Sequence, residues 1–337
     1  MTHSRVRVRA HTLLAAAVGL ALALALTSCG SDDPEVAGGV TIDTAYGEIT
    51  VPDDPQRIVA LSGRHLELLT LLDETPVAFT DYGSDDEALI ASYPWMEGTY
   101  EGEATPELFT ADYQPSPEEI AELDPDLILT TIWQTDEQLY QQLSKIAPTY
   151  VGIETDTNTS WQADLAALAT LTGHDPAIVD EVEADYTADL AKIAEQVPGI
   201  EGATFQIAAL GDGEQLFLTE YAAAPLLGLG LQAGEGQPVD GEGGSAAVGF
   251  SQENVDLLTA DVVLIAAENR DPSGKIRAVL EADPRVAELP ASKNGTLIFL
   301  SPGQWNAVNG GTATSTLWAL EQIVPTLTQS QLNQGGQ

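Results

Sequence analysis

Eight side chains fall in the stretches that follow short apolar runs: Arg64, Tyr82, Trp133, Tyr221, Asn269, Arg270, Trp305 and Asn309. They are rings and hydrogen-bond donors, suited to stacking on a ligand and donating to its oxygens rather than to breaking its bonds. Groups that would cleave are not assembled. The sequence has no Gly-x-Ser-x-Gly, no Ser-x-x-Lys and no His-Glu-x-x-His. Acidic pairs such as Asp85-Asp86 abound through composition alone. The glycines of Gly228-Leu229-Gly230-Leu231-Gln232-Ala233-Gly234 miss the dinucleotide-binding spacing and follow no strand. Beyond residue 28 the histidines are His65 and His174, and Cys29 is the single cysteine, so neither a His-rich zinc or manganese site nor a Cys-rich one is available.

Charge narrows the partners. The 337 residues carry 52 Asp and Glu against 12 Lys and Arg, a formal charge of −40. Phosphate backbones would repel such a chain, which excludes nucleic acid. Either an acidic, well-solvated surface suited to a salty habitat or a basic partner or cationic ligand would account for the excess, the first being the simpler reading. At 44% hydrophobic and 19% charged residues, the chain has material for a sizeable core.

Residues 1–28 read as a signal peptide: Arg5, Arg7 and Arg9, then the apolar run Leu13–Leu26, too short to span a bilayer. The run ends in Leu26-Thr27-Ser28-Cys29, which resembles a bacterial lipobox and makes Cys29 the expected lipidation site. Residues 29–39 then form a polar, flexible tether.

The elements that must position the eight side chains follow from periodicity. Val40–Asp43 and Ile49–Val51 alternate about a turn and predict a hairpin. Arg57–Leu61, Pro76–Thr80 and Asp126–Thr131 are compact apolar runs expected of buried parallel strands, with helical spacing between them. One unit occurs twice without a gap. Residues 116–129 (SPEEIAELDPDLIL) recur 135 positions on, at 251–264 (SQENVDLLTADVVL), with Ser, Glu and Asp identical at 116/251, 118/253 and 126/261. Each copy reads as a Ser N-cap, a short helix and an Asp before a strand. The repeat predicts two lobes, 40–174 and 199–327.

Between the lobes, Ile178, Val182, Tyr186, Leu190, Ile193 and Val197 form one apolar stripe at helical spacing. With Asp175 as N-cap and Pro176 at the first position, a connecting helix over 175–198 is expected to span about 33 Å. Thr204–Leu210, Asp261–Ala266 and Thr296–Leu300 are further strands, Gly230–Gly249 a loop, Thr312–Leu327 a closing helix and 328–337 a flexible tail. The expected architecture is α/β: two Rossmann-like lobes with mostly parallel sheets, joined by a single long helix, with a ligand cleft where the strands' carboxyl ends face each other. Trp95 and Trp161 are expected to be structural.

Several segments in order then support a resemblance. They are Tyr46-Gly47 with Val51-Pro52, residues 54–61 (DPQRIVAL), Glu67-Leu68-Leu69, Pro117–Ile120 with Pro125–Leu129, Leu143–Thr149, Ser251–Leu264 and Gly303-Gln304-Trp305. Across about residues 42–327 the chain resembles the siderophore-type solute-binding lipoproteins of ABC importers. The resemblance implies a non-enzymatic, lipid-anchored protein outside the cytoplasmic membrane, acting as a monomer without a cofactor. It would capture an Fe(III)–siderophore on the eight residues above and deliver it to a permease. In this family one Glu on each lobe pairs with Arg on the permease, which points to Glu118 and Glu253. Each also lies in a first helical turn, where a negative side chain is favoured without any partner, and Glu119 would complete a capping box with Ser116. Scarce basic side chains favour neutral or cationic hydroxamate complexes over anionic catecholates. Haem held through His65, a corrinoid, and a lipid-anchored hydrolase are the alternatives.

Overall fold

The computed structural model describes residues 39–153, 160–211, 215–239, 249–268, 271, 273–309 and 311–334. The signal segment, Cys29 and the tether up to residue 38 lie outside them. Strands β1 (Gly39–Thr44) and β2 (Gly47–Pro52) form the expected antiparallel hairpin, Val40 opposite Val51 and Ile42 opposite Ile49.

The amino-terminal lobe is built on β3 (Ile58–Ala60), β4 (Ala78–Phe79), β5 (Leu127–Leu129) and β6 (Thr149–Tyr150), all parallel in the order β4-β3-β5-β6. Every residue of these strands is buried, so their sequences are continuously apolar rather than alternating. β6 is two residues long, too short to leave a periodic signal. The carboxy-terminal lobe uses β7 (Thr204–Leu210), β8 (Leu216–Leu218), β9 (Gln232–Ala233), β10 (Val262–Ala266) and β11 (Leu297–Phe299). β7 pairs in parallel with β10 and β9 and antiparallel with β8, and β11 flanks β10 in parallel. β9 lies within the stretch expected to be loop.

The sequence repeat has a physical counterpart. Asp126 accepts hydrogen bonds from the backbone N–H of Gln56 (2.7 Å) and Arg57 (2.8 Å), where the chain enters β3. Its repeat partner Asp261 accepts from the N–H of Thr204 (2.9 Å) and from its hydroxyl (2.8 Å), where the chain enters β7. In both lobes the same Asp satisfies donors at the start of the central strand, each charge-assisted bond contributing about 1.5–3 kcal/mol. The caps diverge. Ser251 accepts from the Glu253 N–H, in a 3-10 turn over Gln252–Leu257. Ser116 makes no side-chain cap on Pro117–Glu122, so the capping box with Glu119 does not form.

The chain passes between the lobes on the helix Ile178–Gln196, which starts two residues beyond the expected first position. Asp175 instead closes a preceding turn, accepting from Ala177 N–H at 2.9 Å. The apolar stripe divides: Ile178 and Val182 pack on the amino-terminal core with Leu165 and Leu168, whereas Leu190, Ile193 and Val197 join Phe205, Ile207 and Val262. A second helix, Ala313–Gln329, spans the same junction: Trp318 and Ala319 pack on the first core, Leu320, Ile323, Val324 and Leu327 on the second. Two helices therefore bridge the lobes where the sequence pointed to one.

The expected flexible tail is corrected over residues 328–334. Ser330 is buried, Leu332 packs on the second core, Gln331–Gln334 form a last helical turn, and the Asn333 side chain accepts from Gly199 N–H at 3.0 Å. Gly199 is required there, because a Cβ would stand 2.4 Å from Asn333 Cα. The polar composition that suggested fraying instead supplies this hydrogen bond, made across 134 positions of sequence.

Candidate functional site

The carboxyl ends of the strands in the two lobes open on a cavity of about 620 Å³. After β3, Ser62 caps the helix Gly63–Leu71 by accepting from His65 N–H (3.2 Å), which places Arg64 in the first turn and Glu67 one turn on. After β4 come Asp81 and Tyr82, and after β5 Thr131, Trp133 and Gln134. Tyr93 and Trp95 arrive through the helix Asp86–Ser92 and the turn that follows. The other lobe supplies Tyr221, after β8, with Asn306, Asn309 and Ser315. Tyr82 takes a left-handed backbone conformation (φ 48°), a strained choice for a bulky residue, which sets its ring against Phe109 at 6.0 Å.

Arg64 is committed within the protein. Its Nε lies 2.8 Å from a carboxylate oxygen of the buried Asp164, whose other oxygen accepts from the Tyr150 hydroxyl at 2.7 Å. Asp81, part-exposed on the wall, accepts from the Tyr93 hydroxyl (2.8 Å) and from Gln134 Nε2 (3.1 Å). Burial raises its carboxyl to about 6, against those lowering hydrogen bonds. Glu67 is buried and joins the lobes: it accepts from the Thr312 hydroxyl and from Ser315 N–H (3.2 Å), at the start of the second bridging helix. Burial raises it to about 7, the Thr312 hydrogen bond being the largest opposing influence. The Tyr82 phenol is raised by burial and then by the Asp81 charge.

Five of the eight expected side chains meet on this cavity: Arg64, Tyr82, Trp133, Tyr221 and Asn309. Trp133 and Tyr82 present 63% and 43% of their surface. Trp305 does not line it. Rather than standing in a loop, it lies in the helix Pro302–Val308, is 5% exposed and holds the Tyr221 ring edge-on at 5.8 Å. Its bulk is drawn into the carboxy-terminal core, so it positions a wall residue. Asn269 and Arg270 lie outside the described residues. Glu118 and Glu253 are both exposed, in the first turns of equivalent repeat units. His65 is buried, its Nδ1 on the Ser62 hydroxyl at 2.9 Å and its ring edge-on to Tyr150. Burial, then the Arg64 charge, lower it to about 3.

Glu67, Asp81, Tyr93, Gln134 and Asn306 complete the walls and were not anticipated. Asp81 and Gln134 each adjoin an expected residue, which was the available signal. Glu67 lies in one of the segments that carry the resemblance, but nothing there marked it as buried, since a glutamate on a helix ordinarily faces water. Trp95, expected to be structural, does pack on Tyr93 and Trp318, yet also contributes to the cavity.

The profile of a family described as periplasmic binding protein matches residues 58–302, most of the chain and nearly all of both sheets. The chain belongs to that family. Among periplasmic binding proteins it is similar to the petrobactin-binding protein YclQ of Bacillus subtilis (strain 168), 26% identical over 89% of this chain and 94% of the relative. It is also similar to the ferric enterobactin-binding periplasmic protein FepB of Escherichia coli O6:H1, 27% identical over 75% of this chain and 81% of that one. A crystal structure of a periplasmic solute binding protein from Mycobacterium smegmatis str. MC2 155 superimposes with a TM-score of 0.66 at 25% identity, covering 86% of this chain and 98% of that one. The two-lobed fold with its cleft is thus that of this family of binding proteins. Among the described residues, no group of three or more His, Cys, Asp or Glu could hold a metal ion, and no helix is long and apolar enough to cross a membrane.

Proposed function

We propose that this periplasmic binding protein captures an Fe(III)–siderophore complex in the inter-lobe cavity and delivers it, unchanged, to the permease of an ABC importer. The observation that carries the reading is the cavity itself. It offers about 620 Å³ walled by Tyr82, Tyr93, Trp133 and Tyr221 with hydrogen-bonding groups on Arg64, Gln134, Asn306 and Asn309. A siderophore brings its iron already coordinated, so rings and donors suffice and protein ligands to the metal are not needed. Two relatives whose names carry siderophores support the same reading.

In this proposal residues 1–28 direct export, Cys29 carries the lipid, 29–39 tether the folded part, and a monomer acts at the outer face of the cytoplasmic membrane. The lobes are 40–174 and 199–327, with 175–198 as connector. Exposed Glu118 and Glu253, one on each lobe, meet the permease. Haem held through His65 is disfavoured, because that side chain is buried and turned into the core with its Nδ1 on the Ser62 hydroxyl.

Tryptophan fluorescence tests the reading, because Trp133 and Trp95 both border the cavity. Titration with ferric siderophores, haem and cobalamin should give saturable quenching by one or more siderophore complexes. Quenching by haem or cobalamin alone, or chemical conversion of the bound complex, would overturn it.

A further inference from the structure

The charge on the cavity walls bears on which iron complexes can enter, a question that rests on the binding function proposed above. Among the described residues, Arg64, Glu67 and Asp81 are the charged side chains on the walls. The Arg64 charge is answered at 2.8 Å by Asp164 behind it. Glu67 is engaged with Thr312 and Ser315 at the junction of the lobes. Asp81 is different: Tyr93 and Gln134 fix its carboxylate from neutral groups, which orient the charge without cancelling it. No lysine lines the cavity among these residues, and the chain as a whole carries −40.

Ferric complexes differ sharply in net charge. Iron held by three catecholates is a trianion, by three hydroxamates it is neutral, and a hydroxamate ligand with a free amine makes it a cation. A carboxylate held in place on a partly desolvated wall repels the first, tolerates the second and attracts the third. We infer that the cavity selects ferric hydroxamate complexes of zero or positive net charge, with Asp81 as the specificity-determining side chain that turns anionic complexes away. The rings of Tyr82, Trp133 and Tyr221 supply contact area indifferent to charge, so discrimination falls to this carboxylate.

The test uses the purified protein and three probes: ferrichrome (neutral), ferrioxamine B (one ammonium) and ferric enterobactin (trianionic), titrated by tryptophan quenching at low and high salt. The expected result is binding of the first two, with the trianion on the order of 100-fold weaker and the gap narrowing at high salt. Asp81→Asn should improve the trianion and weaken the ammonium complex by about tenfold each, leaving ferrichrome within about threefold. Tightest binding of the trianion by the unmodified protein would overturn the inference while leaving siderophore capture standing. An equal shift of all three probes in Asp81→Asn would overturn the role of Asp81. If none of the three binds and haem or cobalamin does, the capture reading falls and this one with it. Where Asp81→Asn does not fold, the order of the three probes on the unmodified protein decides.

Discussion

Glu67→Gln should stabilise the protein at neutral and alkaline pH and leave it unchanged in acid. In an unfolded chain this carboxyl titrates near 4.5, whereas in the folded protein it titrates at about 7, chiefly because it is buried. Below 4.5 both states are protonated and the group contributes nothing. As pH rises from 4.5 towards 7 the unfolded chain releases its proton while the folded one keeps it, so stability falls. Above 7 the loss levels off. The difference of about 2.5 pH units corresponds to a penalty of about 3 kcal/mol at pH 8. Glutamine keeps an oxygen able to accept from the Thr312 hydroxyl and Ser315 N–H but never ionises. Burying an ion is costly even where hydrogen bonds and a helix amino terminus favour it, so the neutral isostere should win. Urea unfolding of both proteins at pH 4.5, 6 and 8 measures the difference, in which titrations remote from residue 67 cancel. Glu67→Gln should match the parent at pH 4.5 and exceed it by about 3 kcal/mol at pH 8. A difference that is flat with pH, or that favours glutamate as pH rises, would refute the assignment of Glu67 as a carboxyl held protonated by burial.

Trp305→Ala should lower stability by about 3–5 kcal/mol through the cavity it leaves, with weaker ligand binding as a consequence of the freed Tyr221 ring. Tyr221→Phe, which keeps the ring and its packing, should melt within a few degrees of the parent, as differential scanning calorimetry would show. Glu118→Lys with Glu253→Lys should leave fluorescence titrations and melting unchanged while abolishing iron uptake in cells. Uptake at the parental rate would remove both residues from the permease contact.

Much of this fold could be read from local pattern because β3, β4, β5, β7 and β10 are buried almost throughout and therefore stand out as compact apolar runs. The 14-residue unit that recurs 135 positions on pointed to the two lobes, and Asp126 and Asp261 give it a physical role: each satisfies backbone donors at the start of the equivalent strand. The rule that ligands sit beyond the carboxyl ends of parallel strands brought Arg64, Tyr82 and Trp133 to one cavity, after β3, β4 and β5; Tyr221, after the antiparallel β8, and Asn309, at the end of the helix Pro302–Val308, line it as well. What escaped depends on contacts distant in sequence. Trp305 enters a core assembled from elements about 100 residues apart, and Glu67 meets Thr312, 245 positions away. The two-residue β6 and the closing turn at Gln331–Gln334 are set by packing and by one hydrogen bond, neither of which periodicity registers.

The two helices crossing from lobe to lobe have a thermodynamic consequence. A swing of one lobe relative to the other would have to bend both rods or drag Trp318, Leu190 and Ile193 across tightly fitted neighbours. The bowl that receives the guest is accordingly present before the guest arrives, and occupancy orders little that folding had not already ordered. Empty and loaded forms should scatter X-rays at small angles almost identically. A membrane partner would then have to sense the cargo through subtle changes at the rim rather than through a change of outline.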